Sequence, residues 1–249
     1  MRLSARRQHQ LAGLVFGVVI WSLFARWTGP TLPRPVVLGS ATVELYRSGA
    51  LVDALAETLL RVMFGYGLAI VIAFPVGAVM GLSSFLNIFI GTYVTALFVT
   101  SVASLLPFLI LVAGTDINFY TAVVFLFAVF HMILIVRAGV ATVEQGIRDA
   151  GYVFGATGWR AYRYILLPAA LPHVVAALRI GYNRAVKGAV VAELWIYAGI
   201  GELLHSYQRF SQTPEVLAVV LHVMLLAVFG VRLLRVIERR YTGWREVSV

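Results

Sequence analysis

Six apolar stretches, each near the length that crosses a bilayer, dominate this chain: Leu11–Trp27, Thr58–Leu82, Leu86–Gly114, Phe119–Val136, Pro172–Tyr197 and Val216–Val236. Six spans at about 20 residues apiece would take roughly half of such a chain. Hydrophobic residues make up 61% of it and charged ones only 12%, and a soluble globule could not bury that much apolar surface. The expectation is an all-α polytopic membrane protein with about six transmembrane helices. One transmembrane domain covers residues 1–249, and no room is left for a large soluble one.

The chemistry of the side chains narrows the function. There is no cysteine, which excludes disulfides, zinc–thiolate sites and thiol nucleophiles. Lys187 is the only lysine, set against nineteen arginines, and Gly188 and Ala189 follow it. A Walker phosphate loop needs Gly-Lys-Ser/Thr, so the chain is no P-loop ATPase by itself. The formal net charge is +9, but the arginines cluster around apolar segments. That pattern belongs to membrane topology, and no nucleic-acid partner is expected.

The first apolar stretch follows Met1-Arg-Leu-Ser-Ala-Arg-Arg7, yet Trp21, Phe24, Arg26 and Trp27 stand at its far end where a cleavage site would need small residues. It reads as a retained helix. Six spans place both termini on one side. Twelve arginines lie near that side, against Arg34, Arg47 and Arg209 in the opposite loops. Cytoplasmic loops carry the positive excess, so both termini are expected in the cytoplasm. In the outer loop, Pro30, Pro33 and Pro35 keep the chain extended. Ala41–Glu57 then reads as an amphipathic helix along the membrane face. The cytoplasmic segment 138–171 is long, patterned, and rich in glycine, arginine and aromatics, as functional ordered loops are.

Within that segment runs Asp149-Ala150-Gly151-Tyr152-Val153-Phe154-Gly155, then nine residues, then Ile165-Leu166-Leu167-Pro168. Physically this is a short helix, a glycine break at Gly155 or Gly158, and a second short helix ended by Pro168 and Pro172. Composition alone also allows a surface helical hairpin with no partner. The spacing resembles the EAA signature of ABC-importer permeases: Glu-Ala-Ala, three residues, Gly, nine residues, Ile-x-Leu-Pro. Asp149 stands for the Glu and Gly151 for the second Ala. Further matches resemble the nitrate/sulfonate/taurine branch: Gly49, Thr58-Leu-Leu-Arg61, Gly65-Tyr66, Pro75-Val-Gly77, Gly81, Leu106-Pro107-Phe-Leu-Ile110, Leu167-Pro-Ala-Ala-Leu-Pro172, Leu178-Arg-Ile-Gly181 and Val190-Val-Ala-Glu193. Two places depart from the branch. Thr100-Ser-Val-Ala-Ser104 stands where it carries Arg-Pro-x-Pro, and Lys187 stands where it has an apolar residue.

The resemblance implies a type I ABC importer permease, itself without enzymatic activity, in a bacterial or archaeal cytoplasmic (inner) membrane. Its implied partners are a cytoplasmic ABC ATPase dimer, an extracytoplasmic substrate-binding protein, and a second permease copy or homologous permease. No cofactor or metal belongs to this chain; ATP and Mg belong to the partner ATPase. The implied coupling helix lies near Ile147–Thr157. Its contact residues would be Arg148, Asp149, Ala150, Gly151, Tyr152, Phe154 and Gly155, with Ile165, Leu167 and Pro168 behind them. The rival reading is an ion-gradient-driven secondary transporter. That would need an internal repeat, and the two halves show no convincing correspondence.

The fifth stretch carries Arg179, Asn183, Arg184, Lys187 and Glu193. At 100° per residue these fall within about half of a helix, from roughly −120° to +60° around Lys187. Ala177, Gly181, Ala185, Gly188 and Ala192 collect on the other half, as a close-packing face does. Arg184 and Lys187 lie about 18–22 Å into the stretch. A cation at that depth costs about 2.5–3.5 kcal/mol, so neither should face lipid. Arg179 and Glu193 are read as structural ion-pair candidates. Asn183, Arg184 and Lys187 are read as lining a translocation path for a small anionic solute, with pairing to buried acids, including Glu193 of a dimer partner, as the alternative. His131, His173, His205 and His222 have no metal-ligand spacing and read as packing residues. Gly13-x-x-x-Gly17 and Gly77-x-x-x-Gly81 match a common helix-packing pattern.

Overall fold

The computed structural model describes residues 2–27, 32–142 and 167–241, and these fold almost wholly into helices. Helix α1 runs Arg2–Trp27 and α2 runs Pro35–Arg47. Between them, Trp21 Nε1 donates to the carbonyl of Pro33 at 3.1 Å. Pro35 opens α2, where its missing N–H costs nothing, and Leu38, Ala41 and Leu45 form its buried face. The helix expected over Ala41–Glu57 is divided instead. Gly49, at a left-handed φ of 76°, ends the first part and starts α3, Ala50–Leu82. Residues 50–57 therefore belong to the long helix.

Ser83 caps α4, Ser84–Val99, by accepting from the amide of Leu86 at 3.4 Å. The stretch expected as one span over Leu86–Gly114 is broken here. A 3₁₀ turn at Val102–Leu105 leads into α5, Leu106–Ala113, and the direction changes by 87°. Pro107 explains the break. It has no N–H to give the carbonyl of Ala103, and its ring would clash there in a straight helix. Gly114, at φ 73°, ends α5.

Helix α6, Ile117–Ala141, is the axis of the molecule. It packs along α3 on one side and along α7, Leu167–Ile196, on the other. Small residues make both approaches close. A Cβ at Gly77 or Gly81 would lie 2.8 Å from Val136 Cβ or 2.7 Å from Val140 Cβ respectively. On α7, Ala177, Ala185 and Ala192 are fully buried. Gly181 seats on Met132, and Gly188 on Phe127. Pro168 and Pro172 both lie within the described helix α7, and the short helix expected before them lies outside the described residues.

After Tyr197, at φ 58°, and Gly199, at φ 53°, the chain enters α8, Gly199–Arg209, and then α9, Thr213–Tyr241. By length and composition three segments can cross a membrane: α3, α6 and Thr213–Val236. A fourth is reached if the bent α4–α5 pair counts as one span. The other two expected spans differ for separate reasons. The apolar segment Phe16–Trp27 forms the end of α1, and α7 carries Arg179, Arg184, Lys187 and Glu193 along its length.

Candidate functional site

Glu193 is the most buried charged group described, with no solvent exposure at all. A carboxylate in that position must be hydrogen-bonded and paired, and the partners come from α3 and the α7–α8 turn. Arg61 Nη1 donates to Glu193 Oε1 at 2.8 Å, and the Thr58 hydroxyl donates to Oε2 at 2.8 Å. The amide of Ile200 reaches Oε2 at 3.2 Å. Thr58 and Arg61 sit three apart on α3, so both project from one face. Arg61 also donates to Glu57 at 3.0 Å and lies over the ring of Tyr120, 4.2 Å from its centroid. This cluster joins the end of α7 to α3, to the start of α6 and to α8.

Glycine makes the cluster possible. A Cβ at Gly199 would lie 2.6 Å from Arg61 Nη1 and 3.0 Å from Glu193 Oε1, and its φ of 53° disfavours any side chain. Gly201 lies directly against the backbone of Glu193.

Arg179 is paired too, but elsewhere: Nη1 is 3.4 Å from Glu238 of α9. The two ion-pair candidates thus have separate partners, Arg61 and Glu238, on helices distant in sequence. Arg61 is the residue missed by reading the fifth stretch alone. Its signal was available, because a lone arginine one turn into an apolar segment requires an acid, and Glu193 is the only acid within the fifth stretch.

Asn183, Arg184 and Lys187 come together as exposed side chains on one face of α7. They line an open groove of about 510 Å³ with Arg179 of α7 and Val231 and Arg235 of α9. Among the described residues no acid lines this groove. Arg184 and Lys187 make no ion pair among the described residues. Glu193 cannot serve them from its own chain, since its carboxylate is already occupied by Arg61, Thr58 and Ile200. A groove in which Arg184 and Lys187 have no ion pair among the described residues, next to a helical core, can hold an anion in a setting of reduced dielectric.

The histidines fall into place as side chains packed within the helices. The Nε2 of His205 is 3.0 Å from the carbonyl of Leu194, and the Nδ1 of His222 is 2.8 Å from that of Ala218. His173 fills the space over Gly139. Among the described residues no three His, Asp or Glu side chains gather as a metal site would require. Leu167 and Pro168 are the first described residues of α7. Arg148, Asp149, Ala150, Gly151, Tyr152, Phe154, Gly155 and Ile165 lie outside the described residues.

Comparison with known proteins places this architecture. Residues 65–243 match the family model of the binding-protein-dependent transport system inner membrane component. A probable ABC transporter permease protein of Brucella abortus is 27% identical over 95% of each chain. The putative aliphatic sulfonates transport permease of Bacillus subtilis is 25% identical over 92% of this chain and 84% of its own. Other relatives are named for taurine, nitrate and bicarbonate transport. Among solved structures, an inward-facing form of the methionine ABC transporter MetNI superposes with a TM-score of 0.61 at 21% identity. That match covers 77% of this chain and 92% of the other.

Proposed function

The chain belongs to the family of binding-protein-dependent transport system inner membrane components, and from that premise we propose its cargo class, its route and its coupling site. It is the permease of an ATP-binding-cassette importer of the nitrate/sulfonate/taurine branch. The cargo is a small anion, moved by alternating access along the face of α7 that carries Asn183, Arg184 and Lys187. The observation that carries this reading is the cationic groove beside α9, with no acid among its described lining residues. Relatives named for sulfonates, taurine, nitrate and bicarbonate point the same way, because each of those solutes bears an oxyanion group.

In this reading the energy comes from a dimer of ATPase subunits that binds ATP and Mg and docks on segment 138–171. Arg148, Asp149, Ala150, Gly151, Tyr152, Phe154 and Gly155 form the docking helix, with Ile165, Leu167 and Pro168 linking it to α7. A binding protein delivers the solute on the outer side, and a second permease copy or a homologous permease completes the pathway. The membrane is the cytoplasmic membrane of a bacterium or archaeon, with both termini inside.

Lys187→Met tests the route. Removing one of the groove's cations should lower ATP-dependent uptake of an anion in reconstituted vesicles by about tenfold, normalised to assembled complex, with assembly intact. A complex that falls apart instead would mark Lys187 as a structural partner. Unchanged uptake would remove the anion route.

A further inference from the structure

The break between α4 and α5 opens a second cavity that the groove does not account for. It has a volume of about 400 Å³ and lies between the break, α6 and α7. Thr100 and Ser101 take extended backbone, with ψ of 135° and 109°, which carries them out of helical register and onto the cavity wall. His131 of α6 and Arg184 of α7 complete the polar part of the lining. The aromatic part is Phe98, Phe127 and Phe130. Arg184 also lines the cationic groove, so one guanidinium serves both spaces.

Arg184 and Ser101 are free to donate among the described residues. Arg184 has no acid partner among the described residues. The Ser101 hydroxyl makes no hydrogen bond within the described chain, whereas the Thr100 hydroxyl donates to the carbonyl of Ala96 at 2.9 Å and is left as an acceptor. His131 stands edge-on to Phe98 with ring centroids 4.7 Å apart, and its buried Nδ1 has no hydrogen bond of ordinary geometry. No carboxylate among the described residues lines the cavity. A guanidinium presents a planar fork of donors that matches the paired oxygens of a carboxylate or sulfonate. Three phenyl rings beside it offer cover to an apolar body. An inorganic oxyanion would engage only the first set and leave the rings unused.

We propose that this cavity is a binding station within the membrane for a small organic anion. The anion is an aryl or short alkyl sulfonate or carboxylate, with its head on Arg184, Ser101 and His131 and its body against Phe98, Phe127 and Phe130. The station rests on the anion-importer reading and adds a preference to it, for organic over inorganic anions. Cargo crossing from station to groove keeps one partner throughout, Arg184.

The test uses the permease assembled with its ATPase in lipid nanodiscs, without binding protein. Equilibrium binding of labelled benzenesulfonate is measured, with nitrate as competitor. Benzenesulfonate should bind saturably, and nitrate should compete about ten- to a hundredfold more weakly, as burial of one ring implies. Arg184→Gln should weaken benzenesulfonate by about tenfold or more, and Ser101→Ala, a small change on exposed backbone, by about threefold. Phe130→Ala should bring benzenesulfonate toward the affinity of nitrate. Equal competition by nitrate overturns the station, as does wild-type affinity in the assembled Arg184→Gln or Ser101→Ala complex. ATP-driven uptake by vesicles supplied with binding protein separates the two levels. If wild-type vesicles import no anion, the importer reading falls and the station with it. If they import anions while the variants bind as wild type, the station alone falls.

Discussion

Glu193 shows how one buried charge organises several helix ends. Its two oxygens accept from an arginine, a hydroxyl and a backbone amide, which is the full satisfaction that a buried carboxylate requires. Removing it by Glu193→Ala would leave Arg61 facing a hole, with only Glu57 and the ring of Tyr120 beside it. The expected loss is about 3–5 kcal/mol in equilibrium unfolding in mixed micelles. The double change Arg61→Met with Glu193→Leu should recover most of that, because neither charge is then stranded. If Glu193→Ala unfolds like the parent, the cluster is not a structural tie.

At the scale of elements, the α3–α6 contact is set by glycines on one face of α3. A Cβ on Gly65 would run into the side chain of Val124 and lie 2.8 Å from the carbonyl of Thr121. A Cβ on Gly67, two residues on, would meet nothing within 4 Å. The same substitution should therefore have opposite signs at the two positions. Gly67→Ala should stabilise by about 0.5–1 kcal/mol through helix propensity alone. Gly65→Ala should destabilise by about 1–3 kcal/mol through overpacking. Thermal unfolding of the two purified variants in one detergent compares them directly, and a shift of the same sign in both would refute the assigned face. The break at residues 100–105 follows the same logic in reverse. Where Pro107 denies a straight helix its hydrogen bond, the chain turns, and the turn makes a cavity.

For the whole molecule, large apolar side chains cover much of the outer surface as well as the core. Phe85, Ile88, Phe89, Leu111, Val112 and Phe229 are all well exposed, which a protein in water avoids over areas of this size and a lipid-facing one requires. Among the described residues, the proposed anion route and station lie on the face of α7 toward α9 and in the cavity at the break. Coupling to ATP hydrolysis belongs to this scale as well. Gly155→Arg would set a long charged side chain into the proposed docking helix, where a tightly packed interface tolerates little added volume. Membrane insertion should be normal, while recovery of the ATPase subunit by pull-down should fall to background. Full recovery of the ATPase with this variant would refute the placement of the docking helix.

Much of this architecture was legible in one dimension. Hydropathy marked a polytopic helical protein, and the spacing from Asp149 to Pro168 marked its family. The 100° period divided the fifth stretch into a packing face and a polar one, and Ala177, Gly181, Ala185, Gly188 and Ala192 are indeed buried. These properties are local: composition and period within one helix contain them. The partners of the charges are not local. Arg61 meets Glu193 across 132 residues, and Glu238 of α9 meets Arg179. Such pairings exist only once helix packing has brought particular helix ends together. The 87° break was half legible, in Pro107, but its direction and the cavity beneath it depend on what α6 and α7 place opposite. A sequence states which groups need a partner; the tertiary structure decides who supplies it, because only packing converts separation along the chain into distance in space.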